Sequence, residues 1–167
     1  MHFRFEHDFD TDPKDYWDLF FSEDYNLDLY KQLKMRDRQV IEQKEEGGIL
    51  RRVVKLTPDE EIPAVFQSVV KDMSYTERNV FDRSRSSMEV TVEPAMMKNK
   101  FELRATYSVR PAGPGRSTRV FEGDVKISVM IIGGQMEKFM VERLRTSYET
   151  AARVTRQWIA QRKTAAQ

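Results

Sequence analysis

The sequence predicts an α+β fold: a curved seven-stranded antiparallel sheet wrapped around a long C-terminal helix, with two short helices after strand one. Three observations predict it. Apolar and polar residues alternate in seven separate runs between Phe3 and Ile131, the period of a strand that buries one face. Between the first two runs the aromatic residues fall at helical spacing. Past Gly133-Gly134 the period changes from 2 to 3.6 and holds for about 30 residues.

In the first run Phe3, Phe5, His7 and Phe9 alternate with Arg4, Glu6, Asp8 and Asp10. Thr11 or Asp12 can cap the helix that follows, and Pro13 suits its first position, where a missing N–H loses nothing. Tyr16, Trp17, Phe20 and Phe21 give that helix an aromatic face. Ser22 is placed to cap a second short helix, with Tyr25, Leu29, Tyr30 and Leu33 inward. Strands over 38–44 and 49–56 follow, joined by Glu45-Glu46-Gly47-Gly48, whose glycines supply the positive φ of a hairpin turn. Two prolines then bracket an acidic loop, and a short amphipathic helix is expected from Pro63, with Ile62, Val65, Phe66, Val69 and Val70 along one side.

Three further strands are expected over 73–82, 87–93 and 101–109. Arg110-Pro111-Ala112-Gly113-Pro114-Gly115 reads as a loop, and Phe121, Val125, Ile127, Val129 and Ile131 as the inner side of a last strand. The final helix carries Met136, Phe139, Met140, Leu144, Tyr148, Ala151, Ala152, Thr155, Trp158 and Ile159 on one stripe. Its other side carries Lys138, Arg145, Glu149, Arg153, Arg156 and Arg162. Residues 1–163 read as a single domain and 164–167 as a frayed tail.

With 28 Lys and Arg against 27 Asp and Glu among 167 residues, net +1, no single-sign field covers the molecule, and nucleic acid is excluded as a partner of bulk charge. The absence of cysteine removes disulfides, thiolate metal sites and thiol nucleophiles. With two histidines, no metal and no cofactor are expected. The N-terminus is charged from the start and no window approaches the roughly 20 apolar residues of a membrane span, so a soluble, cytoplasmic protein is expected. Charge is nonetheless uneven. Residues 6–28 hold nine acids and one lysine, net −8, and residues 137–163 hold seven bases and three acids, net +4. The basic face could meet anionic headgroups in a transient membrane-surface contact, or pair with the acidic helices.

The order of elements resembles the START-like (SRPBCC, helix-grip) superfamily over nearly the whole chain. Leu19-Phe20-Phe21-Ser22-Glu23-Asp24-Tyr25 resembles the opening of START-like lipid- and sterol-binding domains. Ser74-Tyr75-Thr76-Glu77-Arg78, Val120-Phe121-Glu122-Gly123 and Gly133-Gly134 are similar to a bacterial branch of unknown function. The resemblance implies a sheet gripping the long helix around a hydrophobic cavity, and binding, transport or sensing of a small hydrophobic ligand, lipid or sterol-like. None of these motifs is catalytic.

The lining expected for such a cavity is Phe81, Val90, Val92, Phe101, Leu103, Tyr107, Phe121, Val125, Ile127, Val129, Met136, Phe139, Met140 and Leu144. Methionines suit a pocket that adapts to its guest and equally suit ordinary core filling; Met96-Met97, between strands, could also touch a membrane. Ile62, Val65, Phe66 and Val69 form the candidate gate, with a static cover as the plain alternative. Arg52 and Glu77 share strand phases with apolar neighbours and, with Tyr75, are the candidate polar anchors. His7 reads as a hydrogen-bonded structural histidine rather than a proton-transfer group. Two other functions stay open: a cyclase- or aromatase-like enzyme drawing on His7, Tyr75, Glu77 and Tyr107, and a cochaperone-like module whose groove holds a partner segment.

Overall fold

A computed structural model describes residues 1–166. Strand β1 (His2–Phe9) buries Phe3, Phe5, His7 and Phe9 and exposes the charged residues between them. Helix α1 (Pro13–Phe20) starts with Asp12 as cap, its carboxylate accepting from Asp15 N–H at 2.9 Å, and Pro13 in the first turn. Helix α2 (Glu23–Gln32) follows at once. Ser22 stands at its cap position but does not cap it, because its hydroxyl donates back to Leu19 O at 2.8 Å.

Strands β2 (Met35–Glu46) and β3 (Ile49–Pro58) form a hairpin whose two turn residues, Gly47 and Gly48, take φ of 58° and 78°. β4 (Tyr75–Asp82), β5 (Ser87–Pro94), β6 (Phe101–Pro111) and β7 (Ser117–Ile127) complete one antiparallel sheet ordered β1-β7-β6-β5-β4-β3-β2. β2 is a long, mostly exposed edge whose ladder is broken by register shifts at Met35/Asp37 and Val40/Glu42. Helix α3 (Gly133–Ala165) lies across the concave face. It reaches two residues into the expected tail, and Gln167 lies outside the described residues.

Three expected elements differ. Arg110 and Pro111, expected in a loop, extend β6 opposite Thr118 and Ser117 at the end of the ladder. The helix from Pro63 is a single 3₁₀ turn, Ala64–Phe66, which leaves Val65 55% exposed while Phe66 is buried. The last strand ends at Ile127, and Val129 and Ile131 belong to the loop before α3, where Ile131 takes a φ of 71° and is 93% exposed. The ends of β3, β5 and β7 and the starts of β4 and β6 lie on one edge of the sheet. The loops 59–74, 95–100 and 128–132 therefore gather at one end of the molecule.

Register fixes the concave face. Across it run Leu50, Arg52, Val54 and Leu56 on β3, opposite Phe81, Asn79, Glu77 and Tyr75 on β4. Met88, Val90 and Val92 on β5 stand opposite Tyr107, Ala105 and Leu103 on β6. At the α1 end the face is closed by aromatic packing: Trp17 lies 4.3 Å and Phe21 5.1 Å from the Phe81 ring, and Phe20 5.2 Å from Tyr107. Each such pair adds about 0.5–1.5 kcal/mol beyond its buried area.

Candidate functional site

At the other end of the concave face the side chains do not meet. A cavity of about 270 Å³ remains between the sheet, the middle of α3, α2 and the 59–74 loop. Of the residues expected to line it, Val90, Val92, Phe101, Leu103, Tyr107, Phe121, Ile127, Met136, Phe139, Met140 and Leu144 do so. Phe81 does not, because Trp17 and Phe21 cover its ring. Val125 is wholly enclosed in the packed core, and Val129 lies past the end of β7. Met96 and Met97 turn inward to the lining, and the exposed apolar pair at this end is Met130 and Ile131.

Of the gate residues, Ile62 and Phe66 line the cavity, and Phe66 meets Phe139 edge-on with centroids 5.4 Å apart. Val65 points to solvent and Val69 packs on the core off the lining. An ion pair between Glu60 and Arg143, both at the lining, ties this loop to α3.

The polar anchors separate into two groups. Tyr75 and Glu77 line the cavity; Arg52 does not. The Arg52 guanidinium is held 5.3 Å from the Phe20 ring centre and 5.2 Å from that of Phe21, and Phe20 is what the cavity sees. No carboxylate lies within 4 Å of it among the described residues, and its Nε and Nη2 have no hydrogen-bond partner. The expected Arg52–Glu77 ion pair is therefore not formed. Glu77 instead accepts through Oε1 from Asn79 Nδ2 at 2.9 Å. Its charge reaches three phenols of the lining. Burial, reinforced by the Glu77 carboxylate, pushes Tyr30 up to about 12 and Tyr75 and Tyr148 well above their ordinary value, so all three are neutral donors.

A second polar cluster, behind the cavity, goes beyond what the sequence pattern led us to expect. Arg119 is 1% exposed; it donates to His7 Nδ1 at 2.8 Å and to Tyr148 O at 3.0 Å, with longer contacts of 3.4 Å to the hydroxyls of Tyr16 and Tyr107. A signal for it exists in the sequence: Arg119 is in phase with Phe121 on β7, although it precedes the apolar residues that mark the strand's inner side. His7 thus has a structural role and does not line the cavity. Among the described residues no three His, Asp or Glu side chains converge to hold a metal ion. No helix among them is long and apolar enough to cross a membrane.

A curved antiparallel sheet closed over one long helix, with an apolar space between, defines the helix-grip class. The family described as "Protein of unknown function (DUF2505)" matches residues 4–159, and the chain belongs to that family. Curated proteins give no match. Solved structures show the same fold at low identity. The Zhui aromatase/cyclase from Streptomyces sp. R1128 superposes with a TM-score of 0.71 at 10% identity, covering 99% of this chain and 97% of that one. Norcoclaurine synthase from Thalictrum flavum, solved with dopamine and hydroxybenzaldehyde, gives 0.68 at 13%, covering 96% and 87%. TTHA0849 from Thermus thermophilus gives 0.66 at 15%, covering 94% and 95%.

Proposed function

We propose that this protein binds a small, largely apolar molecule in the cavity beneath α3, as a carrier or sensor. The supporting observation is the unfilled space itself. A space of about 270 Å³ lined mostly by aromatic and aliphatic atoms leaves those atoms without packing partners, and an apolar guest supplies them. At about 15–30 Å³ per non-hydrogen atom it accepts about 9–18 such atoms. A short chain or a few fused rings fits as the walls stand; a complete sterol or diacyl lipid needs the 62–70 segment to move. That two similar folds belong to an aromatase/cyclase and to a synthase that holds small molecules is consistent with this use of the space.

Contact with an anionic membrane surface is part of this reading. Met130 and Ile131 are 87% and 93% exposed in a loop tied by Ser128 N–H to Lys100 O at 2.7 Å, and Lys98 and Lys100 are exposed on that neighbouring loop, which also carries the methionines of the cavity rim. Native mass spectrometry of gently purified protein, followed by organic extraction, tests the binding. A bound mass that extracts as an apolar compound is expected. A homogeneous unliganded mass, with no thermal shift from any apolar compound of this size, overturns it.

A further inference from the structure

The ionisable groups on the cavity wall are unbalanced. Glu60, Asp72 and Glu77 face one cation, Arg143, and no lysine lines the space. The three acids are not equivalent. Glu60 is paired with Arg143. Asp72 sits exposed at the rim and accepts from Ser74 N–H at 2.8 Å, a bond that holds its carboxyl below the usual range. Glu77 is the interior one. Its Oε1 is engaged by Asn79, and Oε2 accepts from no described residue. Three arginines stand behind the wall without lining it: Arg52 stacks on Phe20 and Phe21, Arg119 lies over Tyr107 and Tyr148, and Arg38 lies over Tyr30. On the lining itself the acids outnumber the cation three to one, and no cation but Arg143 opens onto the space.

On the reading that the cavity is a ligand site, we infer that its ligand is an apolar molecule whose polar end donates hydrogen bonds to Glu77, an ammonium bound more tightly than a hydroxyl and a carboxylate rejected. The free oxygen of Glu77 is an acceptor in a water-poor space, where a charge-assisted donor is about twice as strong as a neutral one. A ligand carboxylate there meets a like charge and no open cation, which disfavours its ionised form. The hydroxyls of Tyr75 and Tyr148, which make no hydrogen bond to described residues, can accept a second donor of the same headgroup. The apolar wall formed by Val90, Val92, Leu103 and Met140 receives the rest of the molecule.

Decylamine, decanol and decanoate match one another in length and differ only in the polar end, so calorimetric titration of the intact protein with each at about pH 7 reads the preference directly. The amine is expected to bind about tenfold tighter than the alcohol, and decanoate more weakly than either. Glu77→Gln keeps an acceptor for Asn79 and removes the charge, so it should bring amine and alcohol to within about twofold. Decanoate binding as well as the amine, or the alcohol outbinding it, overturns the inference while leaving the cavity a binding site. Binding of none of the three overturns the site itself. Should Glu77→Gln fail to fold, the ranking in the unaltered protein decides alone.

Discussion

Arg119 donates through Nη2 to Nδ1 of His7 at 2.8 Å, and both side chains are buried, at 1% and 7% exposure. Because a guanidinium can only donate, Nδ1 must be the acceptor and the imidazole proton resides on Nε2, which donates to Glu149 Oε1 at 3.1 Å. The pair joins β1 to β7 and, through Glu149 and the Tyr148 carbonyl, both strands to α3.

This arrangement sets a pH dependence. Burial and then the Arg119 charge lower the His7 pKa below 6.5, outweighing Glu149, which pulls it up; Arg156 on α3 lowers it further. The unfolded chain therefore takes up the proton first as pH falls. The stability His7 contributes is whole above its unfolded pKa and is lost as pH falls toward its lower folded value. Urea midpoints measured between about pH 8 and about pH 5.5 should decline more steeply for the native sequence than for His7→Gln, which keeps an acceptor for Arg119. Parallel declines would show that His7 is not the group.

Replacing Arg119 by lysine should destabilise the fold by about 2–4 kcal/mol. The fork reaches an imidazole, a main-chain carbonyl and two phenols at once and lies over the Phe9, Tyr107 and Tyr148 rings. An ammonium offers three donors from one point and would leave some of these acceptors buried and unpaired. Denaturant unfolding of Arg119→Lys measures the loss, and a change under about 0.5 kcal/mol would contradict the account.

Gly123 is required by close approach rather than by backbone conformation. A Cβ there would stand 2.3 Å from Arg104 O and 2.6 Å from both Cα and Cβ of Ala105, its partner across the β6–β7 ladder. Main-chain atoms cannot step aside without opening the ladder, so Gly123→Ala should cost about 2–3 kcal/mol or more, read as a lowered melting temperature. Gly134→Ala, with no atom within 4 Å of the added carbon, is the control and should melt near the native value.

How far the sequence was legible follows the physics of each element. The strands of the concave wall announced themselves because one face is buried and the other wet, as in Leu103, Ala105 and Tyr107 on β6. The lining on β5, β6 and α3 followed from the same periodicity. What periodicity could not reveal was competition for a shared face. Phe81 has the right phase but is claimed by Trp17 and Phe21, and Arg52 has the right phase but is capped by Phe20. Both outcomes depend on where α1 docks, which no single strand encodes. Val129 and Ile131 kept the alternation of β7 after the ladder had ended, since apolar residues in a loop can mimic a strand's period. The cavity lining from α2, including Tyr25, Leu29 and Tyr30, was visible only as a helical inner face, with no hint that a void lay beneath it.

The Glu60–Arg143 pair should govern how fast a guest enters and leaves rather than how stable the fold is. It fastens the 59–74 loop to α3 where Phe66 meets Phe139, and Arg143 also lies 5.8 Å from the Phe139 ring. The side chains of Arg143 and Glu60 retain 39% and 25% exposure, so the pair adds no more than about 1 kcal/mol to stability. Arg143→Gln removes the fastening and leaves the aromatic contact. For the fluorescent apolar probe N-phenyl-1-naphthylamine, stopped-flow displacement should then show dissociation accelerated about three- to tenfold, with the melting temperature within about 3 °C of the native protein. Glu60→Gln should reproduce the change, because either half of the pair holds the loop only through the other. Unaltered dissociation in both variants would mean the loop is a fixed cover and the guest leaves by another route.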